Sequence, residues 1–192
     1  VRYHVIRGAL DTAGVANRPH IKTHKSPLLA QMQVAAGAKG ITCQKIGEAE
    51  VMAEAGIDDI LISYNLIGEE KMDRLAALQA KANMTVAADN SVVIAGLPQA
   101  AAASGRPLSV VVECDTGRKR AGVETPGEAI ALAREIAASK GLKFAGFMLY
   151  VVSLLVNSFG SVGVAPPFVA AWFPVVGAFS FGVSFLLHKG DG

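Results

Sequence analysis

The sequence predicts an α/β fold: an incomplete (β/α)8 barrel of the TIM type with about six βα strands, followed by an apolar, helical tail. Three observations lead there. Extended apolar runs alternate with helical runs from Ala16 to Lys143, as parallel βα units do. The units recur at the roughly 20 to 30 residues normal for such barrels. The composition then changes, because no Asp, Glu, Lys, Arg or His occurs from Phe144 to Leu187. A doubly wound sheet would show the same alternation, and pattern alone leaves both open. The missing glycine-rich dinucleotide turn weakens that second option.

Val1 to Gly14 reads as the end of a helix with its exit turn, with Val5, Ile6 and Leu10 as a short apolar stripe. Without a start methionine or a preceding strand, the sequence is expected to begin inside a larger protein. Strands are expected at Arg18 to Lys22, Gly40 to Gln44, Asp59 to Ser63, Thr85 to Asp89, Leu108 to Cys114 and Lys143 to Tyr150. Helices are expected between them. Pro27 to Ala36 follows Ser26, an N-cap with proline at the first helical position. Ile46 to Ala55 stops at Gly56. Gly68 to Ala82 carries Met72, Leu75, Leu78 and Ala82 at helical spacing. Ser91 to Ser104 ends at Gly105, and Thr125-Pro126 caps Gly127 to Ser139.

The division is therefore 1–150, a partial barrel, and 151–192, a tail. Phe168 to Leu187 is apolar over about 20 residues, enough to cross a bilayer core as one or more transmembrane helices, with membrane contact through 151–187. Pro166-Pro167 separates it from the shorter apolar run Gly146 to Ser158. The alternative is a buried core helix with a seventh strand. The net charge of +2, with no basic face, gives no ground for a nucleic-acid partner. Cys43 and Cys114 lack metal-ligand spacing and read as buried thiols in a reducing compartment, the cytoplasm for the barrel part.

The chemistry concentrates in Arg18-Pro19-His20-Ile21-Lys22-Thr23-His24-Lys25. On a strand, Arg18, His20 and Lys22 share one face, and Lys22 ends it where barrel enzymes keep their chemistry. A nearby cation or burial would make its amine nucleophilic, and His20 and Arg18 are placed to do this. The bland alternatives are a solvated basic loop, or Lys25 as the reactive amine. A second cluster, Asp115-Thr116-Gly117-Arg118-Lys119-Arg120-Ala121-Gly122, follows the fifth strand. Gln44 ends the second strand, and Tyr150 ends the sixth.

Together with Gly40 to Glu50, Ala55 to Leu61, Thr85 to Asp89 and Phe144 to Tyr150, these motifs resemble the D-threonine aldolase and D-serine dehydratase family, in order, from about Arg18 to Tyr150. That family has the alanine-racemase type of pyridoxal 5'-phosphate barrel. The resemblance implies Lys22 as the Schiff-base lysine and Tyr150 close to the cofactor, with an interfacial aromatic as the alternative for Tyr150. By position, His20 joins Lys22 at the cofactor and Gln44 faces the ring or the substrate, with a structural polar cap as the alternative for Gln44. The resemblance implies Arg120 at the phenolic oxygen. Lys119 replaces a small residue of the family loop, which leaves Arg118 as a rival. The implied activity is retro-aldol cleavage of D-threonine-like substrates or dehydration of D-serine, in a homodimer when complete. The family's divalent metal ligands lie in a C-terminal β domain that nothing here matches. The tail instead loosely resembles the last membrane span of lipopolysaccharide-export permeases through Ala165 to Pro174. The rival readings are a chimeric, membrane-associated chain and a non-catalytic cofactor-binding module.

Overall fold

The computed structural model describes Gly8, Leu10, residues 12–117 and residues 119–149. Arg118, Tyr150 and the tail lie outside the described residues, together with the expectations placed on them.

Five strands form one sheet: β1 (Ile41–Cys43), β2 (Asp59–Ile62), β3 (Asn83–Ala88), β4 (Leu108–Cys114) and β5 (Leu142–Leu149). All pairs are parallel, and the order is β1-β2-β3-β4-β5. A doubly wound sheet reverses its order at a switch point. None occurs here, which decides between the two architectures that the sequence left open. With right-handed crossovers, the rule for parallel βα units, this order puts the connecting helices of the described residues on one side. The helices are α1 (Pro27–Ala35), α2 (Ile46–Glu54), α3 (Glu69–Lys81), α4 (Ser91–Ser104) and α5 (Pro126–Ala138). Each packs on the next in sequence, forming the outer layer of a barrel wall.

Local chemistry sets the helix starts. Ser26 accepts the Leu29 N–H, with Pro27 at the first position of α1. Asn90 accepts the Val93 N–H at 3.0 Å. Thr125 and Glu128 form a capping box on α5. Strand alternation then sorts the layers. Ile41, Cys43, Ile60, Ile62, Met84, Val86, Leu108, Val110 and Val112 join the core and are no more than 2% exposed. Met52, Met72, Leu75, Ile94, Leu97 and Ile136 meet them from the helices. The alternate set, including Thr42, Leu61, Ser63 and Glu113, faces the opposite side and lines a cavity at the carboxyl ends of the strands.

One expected strand is corrected. Of Arg18 to Lys22, only His20 makes a parallel bridge, to Thr42, backed by the Thr42 N–H donating to Pro19 O at 2.8 Å. The chain then winds into a 3-10 turn at Ile21–Thr23. The reason is local: the His20 ring takes the Lys22 N–H that a ladder would need, while Ile21 is fully buried. The expected six strands are thus five and a bridge. On β5, Ala145 is an extra residue between the pairs Val110–Phe144 and Val111–Gly146. This bulge shifts the alternation along the strand and brings Met148 opposite Glu113.

Candidate functional site

The cavity measures about 320 Å³ and collects residues from five places in the chain. Arg18, His20 and Lys22 come from the first segment, and Thr42 and Gln44 from the end of β1. Leu61, Ser63 and Tyr64 follow from β2. Glu113, Asp115, Arg120 and Ala121 come from β4 and its loop, and Met148 from β5. Four of the five expected site residues, Lys22, His20, Gln44 and Arg120, are therefore together. The fifth, Tyr150, lies outside the described residues.

Lys22 sits on the 3-10 turn rather than on a strand end. The turn is closed by the Lys25 N–H donating to Ile21 O at 2.8 Å and is anchored by the buried Ile21. None of the ion pairs among the described residues involves Lys22. Lys25, the rival amine, is different. Its backbone is left-handed at φ 50°, and its Nζ lies 3.2 Å from Glu48 Oε1. Glu48 also accepts the N–H groups of Gln44 at 2.8 Å and Lys45 at 3.3 Å. Burial works against its charge, but these hydrogen bonds and Lys25 hold its carboxyl below the usual range. Glu48 thus caps α2 and holds Lys25, which is outside the cavity lining.

Arg18 lines the cavity, but its guanidinium is paired with Asp59 Oδ1 at 2.7 Å. Gly40 makes the crossing feasible, since a Cβ there would collide with Asp59 O and Arg18 Nη1.

Arg120 is brought back over the strand ends by a loop closed at its neck. The Asp115 N–H donates to Val123 O at 2.8 Å, and the Val123 N–H to Glu113 O at 2.9 Å. Gly122, at φ 97°, lies against the backbone of Cys114 and Asp115, where a Cβ would not fit. Its N–H donates to Asp89 Oδ2 at 3.0 Å. Asp89 Oδ1 accepts from Asn65 at 2.7 Å and from Asn90 at 2.6 Å. One carboxylate at the end of β3 thus ties three loops.

Glu113 is a site residue that sequence reasoning missed. It is a carboxyl 8% exposed on a strand. Burial raises its pKa, Asp89 and Asp115 add to this, and Arg120 opposes it. A single acid in the apolar run Leu108-Ser109-Val110-Val111-Val112-Glu113 was the available signal. Thr42 and Ser63 were also missed, though both share the strand phase of Gln44 and Leu61. The pKa of His20 is lowered by burial and by Lys22 against the pull of Glu48 and of hydrogen bonds at Gln44 and Thr42. Burial and the nearby Glu48 push the Cys43 thiol up to about 12, so it is inert. Cys114 is only half-buried. No group of three or more His, Cys, Asp or Glu side chains suited to a metal occurs among the described residues.

Residues 2–156 match the alanine racemase N-terminal domain family. The chain belongs to that family. It is 40% identical over 140 residues to a D-threonine aldolase of Arthrobacter sp., covering 73% of this chain and 37% of that protein. It is 38% identical over 139 residues to the 3-hydroxy-D-aspartate aldolase of Paracoccus denitrificans, covering 71% and 36%. The crystal structure of D-threonine aldolase from Filomicrobium marinum superposes with a TM-score of 0.73 at 40% identity, covering 76% of this chain and 39% of that one. The chain thus spans little more than a third of these relatives. Among the described residues, no helix is long and apolar enough to cross a membrane.

Proposed function

We propose that this chain carries the cofactor-bearing part of a pyridoxal 5'-phosphate enzyme that cleaves D-configured β-hydroxy amino acids by a retro-aldol reaction. The observation that supports it most is Lys22, a lysine without an ion pair among the described residues, in one cavity with Arg120. The relatives add the substrate class: those named above are aldolases of D-threonine and of 3-hydroxy-D-aspartate.

The cavity residues suit the group chemically. Lys22 is the one lysine lining the cavity among the described residues, and Arg120 supplies a cation that never loses its charge. When bound, pyridoxal phosphate supplies an electron sink for the bond that breaks. The chain's own residues do the rest. Lys22 would hold the cofactor through its aldehyde, and Arg120, in the same cavity as Glu113, would be the cation for its phenolic oxygen. His20 and Gln44 border the ring side of the cavity, and Tyr150 is assigned beside it by resemblance alone.

Incubation with D-threonine and the cofactor tests the reading. Acetaldehyde and glycine are expected. The oxo acid 2-oxobutanoate would assign dehydration instead, and no turnover with the cofactor bound would assign a binding module. The permease-derived reading of the tail gains no support from the aldolases above. Membrane contact of 151–187, a boundary at residue 150, and homodimerisation of a complete barrel stand as proposals of the same reading.

A further inference from the structure

We propose that His20 is a positioning residue: its neutral ring accepts the backbone N–H of Lys22 at Nδ1, donates Nε2–H to Ser63, and so fixes the turn that presents the lysine. The inference rests on the reading that Lys22 is the working amine, and it concerns how that amine is held.

A three-residue 3-10 turn has poor hydrogen-bond geometry and little stability of its own. Its first N–H groups need an outside acceptor. Serine or aspartate usually provides one. Here the acceptor is His20 Nδ1, 3.2 Å from the Lys22 nitrogen. An imidazole nitrogen accepts only through a free lone pair, which puts the proton of the neutral ring on Nε2. Nε2 lies 3.4 Å from Ser63 Oγ. The Ser63 hydroxyl proton is directed to Cys43 O at 3.4 Å, leaving an oxygen lone pair for the ring. One arrangement of protons satisfies all three contacts. Both ring nitrogens are then engaged by the protein, which leaves His20 no free site for proton exchange with a ligand. That separates it from Lys22, whose amine has no ion pair among the described residues.

The groups around the ring fix its charge state. Lys22 on the same turn disfavours a second cation, and so does burial. Glu48 of α2 favours one, as do the hydrogen bonds with Gln44 and Thr42 at the end of β1. Ser63 of β2 is neutral, and Arg18 of the same cavity is matched by Asp59. The ring is therefore neutral at pH 7. In acid, a proton on Nδ1 would face the Lys22 N–H, donor against donor, and the cap would be lost.

The full chain, labelled with 15N, tests this without cofactor. At pH 7 the His20 ring should show a bare Nδ1 and a protonated Nε2, and the Lys22 amide should be protected from exchange. Acid titration should abolish that protection with the midpoint of the ring. His20→Ala should abolish it at every pH, while His20→Asn, whose side-chain oxygen can accept the same N–H, should restore it. A ring protonated on Nδ1, or a Lys22 amide indifferent to ring protonation, overturns the proposal even if His20→Ala fails to fold. Borohydride trapping of pyridoxal phosphate on Lys22 is the second arm. It should slow severalfold in His20→Ala and recover in His20→Asn. No trapping in the parent chain would overturn the cofactor reading, and the amide measurements would still decide the cap.

Discussion

Lys25 Nζ lies 3.2 Å from Glu48 Oε1, whereas Lys22, three residues earlier, faces the cavity with no carboxylate paired to it among the described residues. The two lysines of one motif therefore have different tasks. Borohydride reduction with pyridoxal phosphate should label Lys22, and Lys22→Ala should abolish the label. Lys25→Ala should keep it and lose only the roughly 0.2–1 kcal/mol typical of an exposed ion pair. Peptide mapping decides, and a label that moves to Lys25 in Lys22→Ala would sink the assignment.

Arg120 is the cation expected at the cofactor oxygen. Arg120→Ala should weaken cofactor binding by the roughly 1.5–3 kcal/mol of a charged hydrogen bond, about ten- to a hundredfold. Absorbance titration measures it. Unchanged affinity would move the role to Arg118 or remove it.

Glu113 makes a prediction about pH. Burial, helped by Asp89 and Asp115, raises its pKa in the fold above the ordinary 4.5. The native state then keeps this proton to a higher pH than the unfolded chain does. Stability falls as pH rises from the unfolded value through the raised one. Glu113→Gln should remove that fall and flatten the plot of Tm against pH over this window. Arg120→Ala should steepen it, because Arg120 favours the ionised form. Parallel curves for parent and Glu113→Gln would refute the burial argument.

Gly40 lets Arg18 reach Asp59 across the start of β1. Gly40→Ala should cost about 1–3 kcal/mol, as overpacking does. Denaturant unfolding should show it, while Gly14→Ala, with no atom near its Cβ but a φ of 68°, should cost only its smaller backbone strain. Equal losses would mean that the crossing carries no weight.

The tail is expected to send the whole chain into detergent, with residues 1–150 partly soluble but prone to aggregate at an open sheet edge. Phase partition of the two proteins checks this. A soluble, monomeric full chain closed into eight strands would show that the tail is barrel.

The helices α1 to α5 and all five strands of the sheet were legible to within two residues because caps, turn residues and apolar runs are local signals. Ser26 and Thr125 announce their helices, Gly105 ends another, and Leu108 to Cys114 is a valine-rich run. Arg18 to Lys22 was misread because its outcome depends on where one side chain turns: His20 folds back onto its own backbone, and periodicity carries no trace of that. The site was half legible. Motif order located Lys22 and Arg120. The alternation that could have added Thr42, Ser63 and Glu113 to them requires the strand phase, and β5 shows how one bulge at Ala145 resets it. The pairing of Lys25 with Glu48 spans a loop and a helix start, which no short motif encodes.

The uninterrupted order β1-β2-β3-β4-β5 has a consequence for biogenesis. Each strand of β2 to β5 pairs with the one made just before it, so the wall can grow as the polypeptide leaves the ribosome, and among the described residues no strand of the sheet waits for a distant partner. Contacts of short sequence separation form quickly, and amino-terminal units fold first during synthesis. Lys22, Glu113 and Arg120 all precede β5 in the chain. A nascent chain stalled shortly after this point would therefore display the lysine wall of the cavity ahead of whatever follows it.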